Sequence, residues 1–146
     1  MIYDMGLQEL LHGVTFECPP EAAEKAVVVR CRLEGHHYNS EEIDRIFSAS
    51  KAQGKSLYYV DEDRLRAIAP DIIFTQDVCE VCQIDTACTT AAVAKLPKMP
   101  VLISLTPDNL EQVLASAVTI AAALGREEAA YRYLARLQST LDRITD

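Results

Sequence analysis

The 146-residue sequence contains no tryptophan, and aromatic side chains make up only 6% of it. A chain so poor in large rings must build its core from aliphatic side chains, which the 49% apolar content supplies. Five glycines and six prolines exclude a collagen-like or linker-like polymer. Long apolar runs are missing too. The stretch Ala117 to Leu124, broken by Thr119, falls far short of the ~20 residues a membrane-spanning helix needs, so no membrane insertion is expected. The start, Met1-Ile2-Tyr3-Asp4-Met5-Gly6, has neither the basic n-region nor the apolar h-region of a secretory signal. As written, the chain reads as cytoplasmic. Positive charge is scarce: 14 Lys and Arg stand against 22 Asp and Glu, a net of −8. That sign opposes a phosphate-backbone footprint, and no nucleic-acid partner is expected. GxGxxG, GxSxG, HExxH and Gly-rich phosphate loops are all absent, so catalysis is not expected and no cofactor is required.

What is present is an alternation of strand and helix signals. His12 to Phe16, Ala26 to Cys31, Ile72 to Thr75 and Val101 to Leu105 read as strands. The continuous run Val27-Val28-Val29 suggests a strand covered on both faces. Met1 to Leu11 reads as a short helix despite Gly6. Asn39-Ser40-Glu41-Glu42 opens another, with a capping side chain and acids at the positive dipole end, and Gly54 closes it. Asp61 to Ala69 and Thr86 to Leu96 are further helices. Thr106-Pro107 predicts the start of a helix with Leu110, Val113, Leu114, Ala117, Ile120, Ala121 and Leu124 on one face. After Gly125, a last helix carries Ala130, Leu134, Leu137, Leu141 and Ile144 at 4-3-4-3 spacing. The expected fold is α/β: a single three-layer lobe with a short, mainly parallel sheet flanked by helices, ending in a long C-terminal helix.

Ligands of open parallel sheets bind beyond the carboxyl ends of the strands. Here those positions are Glu17-Cys18, Arg32 to Tyr38, Gln76 to Asp85 and Ser104 to Thr106, and the first three concentrate the reactive side chains. Cys79 and Cys82 form a CxxC. Two thiolates at that spacing grip a metal, with Cys18, His36 or His37 available to complete a tetrahedron. A thiol-redox pair and simple packing are the competing readings of the same residues. Cys31 and Cys88 are assigned to packing. His36, His37 and Tyr38 offer imidazole ligands and a flat amphipathic ring, or merely a solvated loop. Arg30 and Arg32 flank a strand end where a guanidinium clamps carboxylate or phosphate.

Four blocks together resemble the cobalamin-type periplasmic-binding proteins, the substrate-binding components of ABC importers for corrinoids and iron chelates. They are Gly13-Val14-Thr15-Phe16-Glu17-Cys18-Pro19-Pro20, Glu42-Ile43-Asp44-Arg45, Gly54-Lys55-Ser56-Leu57-Tyr58, and Pro70 through Cys82 with its Pro-Asp-Ile-Ile-Phe-Thr-Gln core. The resemblance implies two α/β lobes joined by a long helix, with ligand held between them. On that pattern residues 1–125 are the N-terminal lobe without its first strand, and residues 126–146 begin the interlobe helix. It implies a corrinoid or metal-chelate ligand held by Phe16, Glu17, Cys18, Arg32, His36, His37, Tyr38, Gln76, Asp77, Cys79 and Cys82. A full-length exported form would act in the periplasm or at the cell surface and meet an ABC permease. For the chain as given, an incomplete sheet and the uncovered stripe of the last helix predict a homodimer.

Overall fold

The computed structural model describes residues 1–53, 55–76 and 86–145. Among these the order is β1 (Gly13–Thr15), β2 (Ala26–Cys31), α1 (Ser40–Ala52), β3 (Tyr58–Val60), α2 (Glu62–Ile68), β4 (Ile72–Thr75), α3 (Thr86–Val93), β5 (Val101–Ser104), α4 (Leu110–Ala123) and α5 (Glu127–Thr145). The protein is α/β and ends in a long helix. Its strands form two sheets rather than one. In the first, β2 lies between β1, which is parallel to it, and β3, which is antiparallel; in the second, β4 and β5 pair in parallel. The strand Tyr58–Val60 has no counterpart among the sequence expectations, because three residues carry too little periodicity to be read.

Elsewhere the local chemistry explains both the agreements and the departures. Met1 to Leu11 holds one helical turn, not a helix. Gly6 adopts φ +75°, its N–H bonds to the Tyr3 carbonyl, and the Leu7 N–H reaches back to Ile2, so a left-handed glycine cap ends the turn at once. A 3-10 turn at Gln8–Leu10 follows. α1 starts as expected: the Glu42 N–H donates to Asn39 Oδ1 at 2.9 Å and the Asn39 N–H donates to Glu42 Oε2 at 2.9 Å, a complete capping box. It ends at Ala52 with Gln53 as cap, and Gly54 lies outside the described residues. Asp61 caps α2 by accepting from the Arg64 N–H. The α4 start departs from expectation. Thr106-Pro107 stays outside the helix, and Asn109 caps instead, accepting from the Gln112 N–H at 2.9 Å while Gln112 Oε1 takes the Asp108 N–H. Leu65 is buried as expected, whereas Ile68 is only half-buried and β2, apart from buried Cys31, is half-buried along its length.

A cluster of buried apolar residues lies at the helical end. Gly125, at φ +64°, breaks the helical run, and α5 packs against α4. Ala117, Ile120 and Ala121 of α4 meet Ala129 and Ala130 of α5, and Met5 and Leu7 close the cluster. Four of these five hairpin residues are alanines, which lets the helix backbones approach closely. Phe74 from the second sheet packs against the same cluster, so the hairpin and the sheet share a core. Arg136 of α5 donates to the Asp4 carbonyl, and the Met1 ammonium sits 2.8 Å from the Asp4 carboxylate. The hydrogen bond from that ammonium lowers Asp4 below the ordinary carboxylate range. Tyr133, beside the cluster, is raised by burial first and by the Asp4 charge second. No helix among the described residues is long and apolar enough to cross a membrane.

Candidate functional site

β1 and β2 run parallel, so their carboxyl ends lie on the same side of the first sheet. Phe16-Glu17 leaves the end of β1 there. The Phe16 N–H extends the ladder by one bond to the Val29 carbonyl, 3.0 Å, which fixes where the chain departs. β2 ends at Cys31 and turns sharply: the Glu34 N–H bonds to the Cys31 carbonyl, the His36 N–H bonds to the Leu33 carbonyl, and Gly35 supplies φ +76°. The loop then runs through His37 and Tyr38 into the α1 cap. Antiparallel β3 begins where β2 ends, with Tyr58 opposite Cys31.

These segments border an open hollow of about 350 Å³. Its wall contains Phe16 and Glu17 from the segment after β1, Cys31 from the end of β2, Leu33, Glu34, His36, His37 and Tyr38 from the loop that follows, Ile43 from α1 and Tyr58 from β3. The volume falls in the lower range of small-molecule sites. The rings are not independent. Phe16 and Tyr58 have centroids 6.0 Å apart at 31°, and His36 and Tyr38 are 5.8 Å apart at 42°. Glu34 secures the turn, accepting the Cys31 N–H on Oε1 at 2.7 Å and the Arg30 guanidinium on Oε2 at 2.8 Å. Arg30 is thereby occupied by a carboxylate of its own chain.

Of the expected binding residues, Phe16, Glu17, His36, His37 and Tyr38 share this hollow. Cys18 is exposed just beyond it, its Sγ 3.7 Å from Thr15 Oγ1, and is not part of the wall. Arg32 also stands apart: its guanidinium lies 5.6 Å from the centre of the Tyr59 ring. Neighbouring residues of a strand point to opposite faces, so Tyr59 and Tyr58 look away from each other. Gln76 is exposed after β4 in the second sheet and does not line the hollow. Asp77, Cys79 and Cys82 lie outside the described residues. Among the described residues no group of three or more His, Cys, Asp or Glu is placed to hold a metal ion.

Tyr58 and Ile43 have no counterpart among the binding residues expected from the sequence, Leu33 and Glu34 enter that reading only as part of the Arg32 to Tyr38 loop, and Cys31 only as a packing residue. Cys31 is indeed buried, at 8% exposure, yet its side chain also reaches the hollow. The missing signal for Tyr58 was direction: an antiparallel strand delivers its first residue, not its last, to the carboxyl end of its neighbour. No protein-family model, curated protein or solved structure matches this chain.

Proposed function

We propose that the chain is a small-ligand-binding module that receives one edge of a corrinoid or metal chelate in the hollow at the ends of β1 and β2. The observation that carries this reading is the convergence of Phe16, Glu17, His36, His37 and Tyr38, drawn from two loops, on one concave surface. Its position beyond the strand ends fits the general location of ligands on α/β sheets. A hollow of about 350 Å³ takes in only part of a macrocycle, so binding is one-sided and weak. A Kd of roughly 1 mM, or about 4 kcal/mol, is the expected scale. Titration with cyanocobalamin and with a ferric hydroxamate chelate, followed by calorimetry, tests it. Heat that saturates and disappears in Phe16→Leu supports the reading; no heat up to millimolar ligand retires it.

A second reading has its own observation. Leu110, at the start of α4, is 60% exposed, and Leu141 and Ile144, near the end of α5, are 37% and 77% exposed. These exposed apolar side chains lie at the ends of α4 and α5 remote in sequence from the Gly125 turn, and that apolar tip is open to solvent. Covering that tip with a second copy makes an oligomeric interaction protein. Light scattering at micromolar concentration decides: a dimer that Ile144→Glu dissociates favours it, and a mass of 16.2 kDa counts against it.

A further inference from the structure

The charge and the rings of the hollow together restrict what it takes. Three aromatic side chains, Phe16, Tyr38 and Tyr58, contribute to a wall that also holds two carboxylates, Glu17 and Glu34. Among the described residues that line it, none is lysine or arginine. Glu34 is neutralised by Arg30 at 2.8 Å, which leaves Glu17, exposed at the rim, as the charge a ligand meets. An aromatic face carries a negative quadrupole and attracts cations. The rings and the acid therefore act with the same sign.

The anionic alternative is weaker. Helix α1 approaches with its N-terminal end, and a bare helix N-terminus attracts anions. This one is already occupied: Asn39 and Glu42 cap it, and Glu41 and Glu42 place two negative charges in its first turn. Its only contribution to the wall is the apolar side chain of Ile43. An anionic chelate would meet no lysine or arginine there, only the imidazoles of His36 and His37.

We infer that the hollow selects ligands that present an organic cation, an alkylammonium group seated against the aromatic wall with Glu17 as its counter-ion. This rests on the reading of the hollow as a small-ligand site and adds the charge class of the ligand. The probe pair is choline and its neutral carbon isostere 3,3-dimethylbutan-1-ol, titrated against the intact chain by NMR with the Tyr and His ring signals as reporters. Choline is expected to bind about tenfold more tightly than the alcohol. Glu17→Gln should reduce that preference and its dependence on salt, while Tyr38→Leu should weaken choline more than the alcohol. Both positions lie in loops at least partly open to solvent, and an unchanged far-UV spectrum shows that each variant is folded. Equal affinity for the two probes overturns the inference. Binding of cyanocobalamin without binding of choline overturns it too but leaves the proposed function standing. Saturable choline binding with no response to corrinoid or chelate supports the inference and removes the corrinoid.

Discussion

The two ends of this molecule are built on different principles. At the helical end, α4, α5 and the first seven residues share one cluster in which Ala117, Ala121 and Ala130 have no exposed surface. At the other end, α1 has no buried residue at all: Ile43 is 45% exposed, and Ile46 and Phe47 are half-buried. The first is one apolar cluster; the second buries Val14, Ala22, Cys31 and Leu65 in and beside its sheet but leaves α1 to its caps. The candidate site belongs to the second. Its wall is made of exposed and half-buried side chains apart from Cys31, whereas the hairpin cluster is buried.

The sharpest way to break this contrast is to delete apolar mass from each end. Ile120→Ala, at a position 6% exposed, should cost about 3 kcal/mol in urea denaturation. Ile43→Ala should cost less than about 0.5 kcal/mol, as exposed substitutions do. Equal losses would mean that α1 is packed as tightly as the hairpin. The junction between sheet and helix is the next test. A Cβ on Gly13 would stand 3.1 Å from Ile68 Cδ1 and 3.3 Å from Val28 Cγ1. Gly13→Ala is therefore expected to destabilise by about 1 kcal/mol, and adding Ile68→Val, which removes the offending methyl, should recover part of that loss. A smaller effect concerns the cap that launches α1 beside the hollow. Asn39→Ala removes the acceptor for the Glu42 N–H and should cost roughly 1 kcal/mol or less; if α1 contributes nothing to stability, the thermal midpoint will not move.

The smallest effect depends on pH. Asp4 is held below its ordinary value of 3.8 by the Met1 ammonium, so the folded state binds this proton less readily than the unfolded chain. Its contribution is fully present above that ordinary value and is lost as pH falls through the lowered one. Because the Asp4 side chain is 57% exposed, the amount is a few tenths of a kcal/mol at most. Comparing the wild type with Asp4→Asn at pH 6 and at pH 3 should show a difference at the higher pH that narrows at the lower.

How much of this was legible beforehand follows the same division. α4 and α5 were readable because their apolar positions recur over many turns and Gly125 punctuates them. β2 was readable from Val27-Val28-Val29. Half of the hollow was readable because parallel strands gather their carboxyl ends on one side, which places Phe16, Glu17 and the His36–Tyr38 loop together before any coordinates exist. Tyr58 and the direction of β3 were not readable. Three residues set no period, and the choice between parallel and antiparallel is made by the space the neighbours leave. Thr106-Pro107 misled for a related reason: a good cap signal lost to a better one, Asn109 with Gln112, three residues on.

Strand β3 carries two tyrosines in succession, Tyr58 toward the hollow and Tyr59 beneath Arg32. A slip of one residue along β2 would exchange them. The surface shown to a guest molecule would then still end in a phenol, so an error of alignment that ruins most half-buried sheets would here leave the composition of the rim intact.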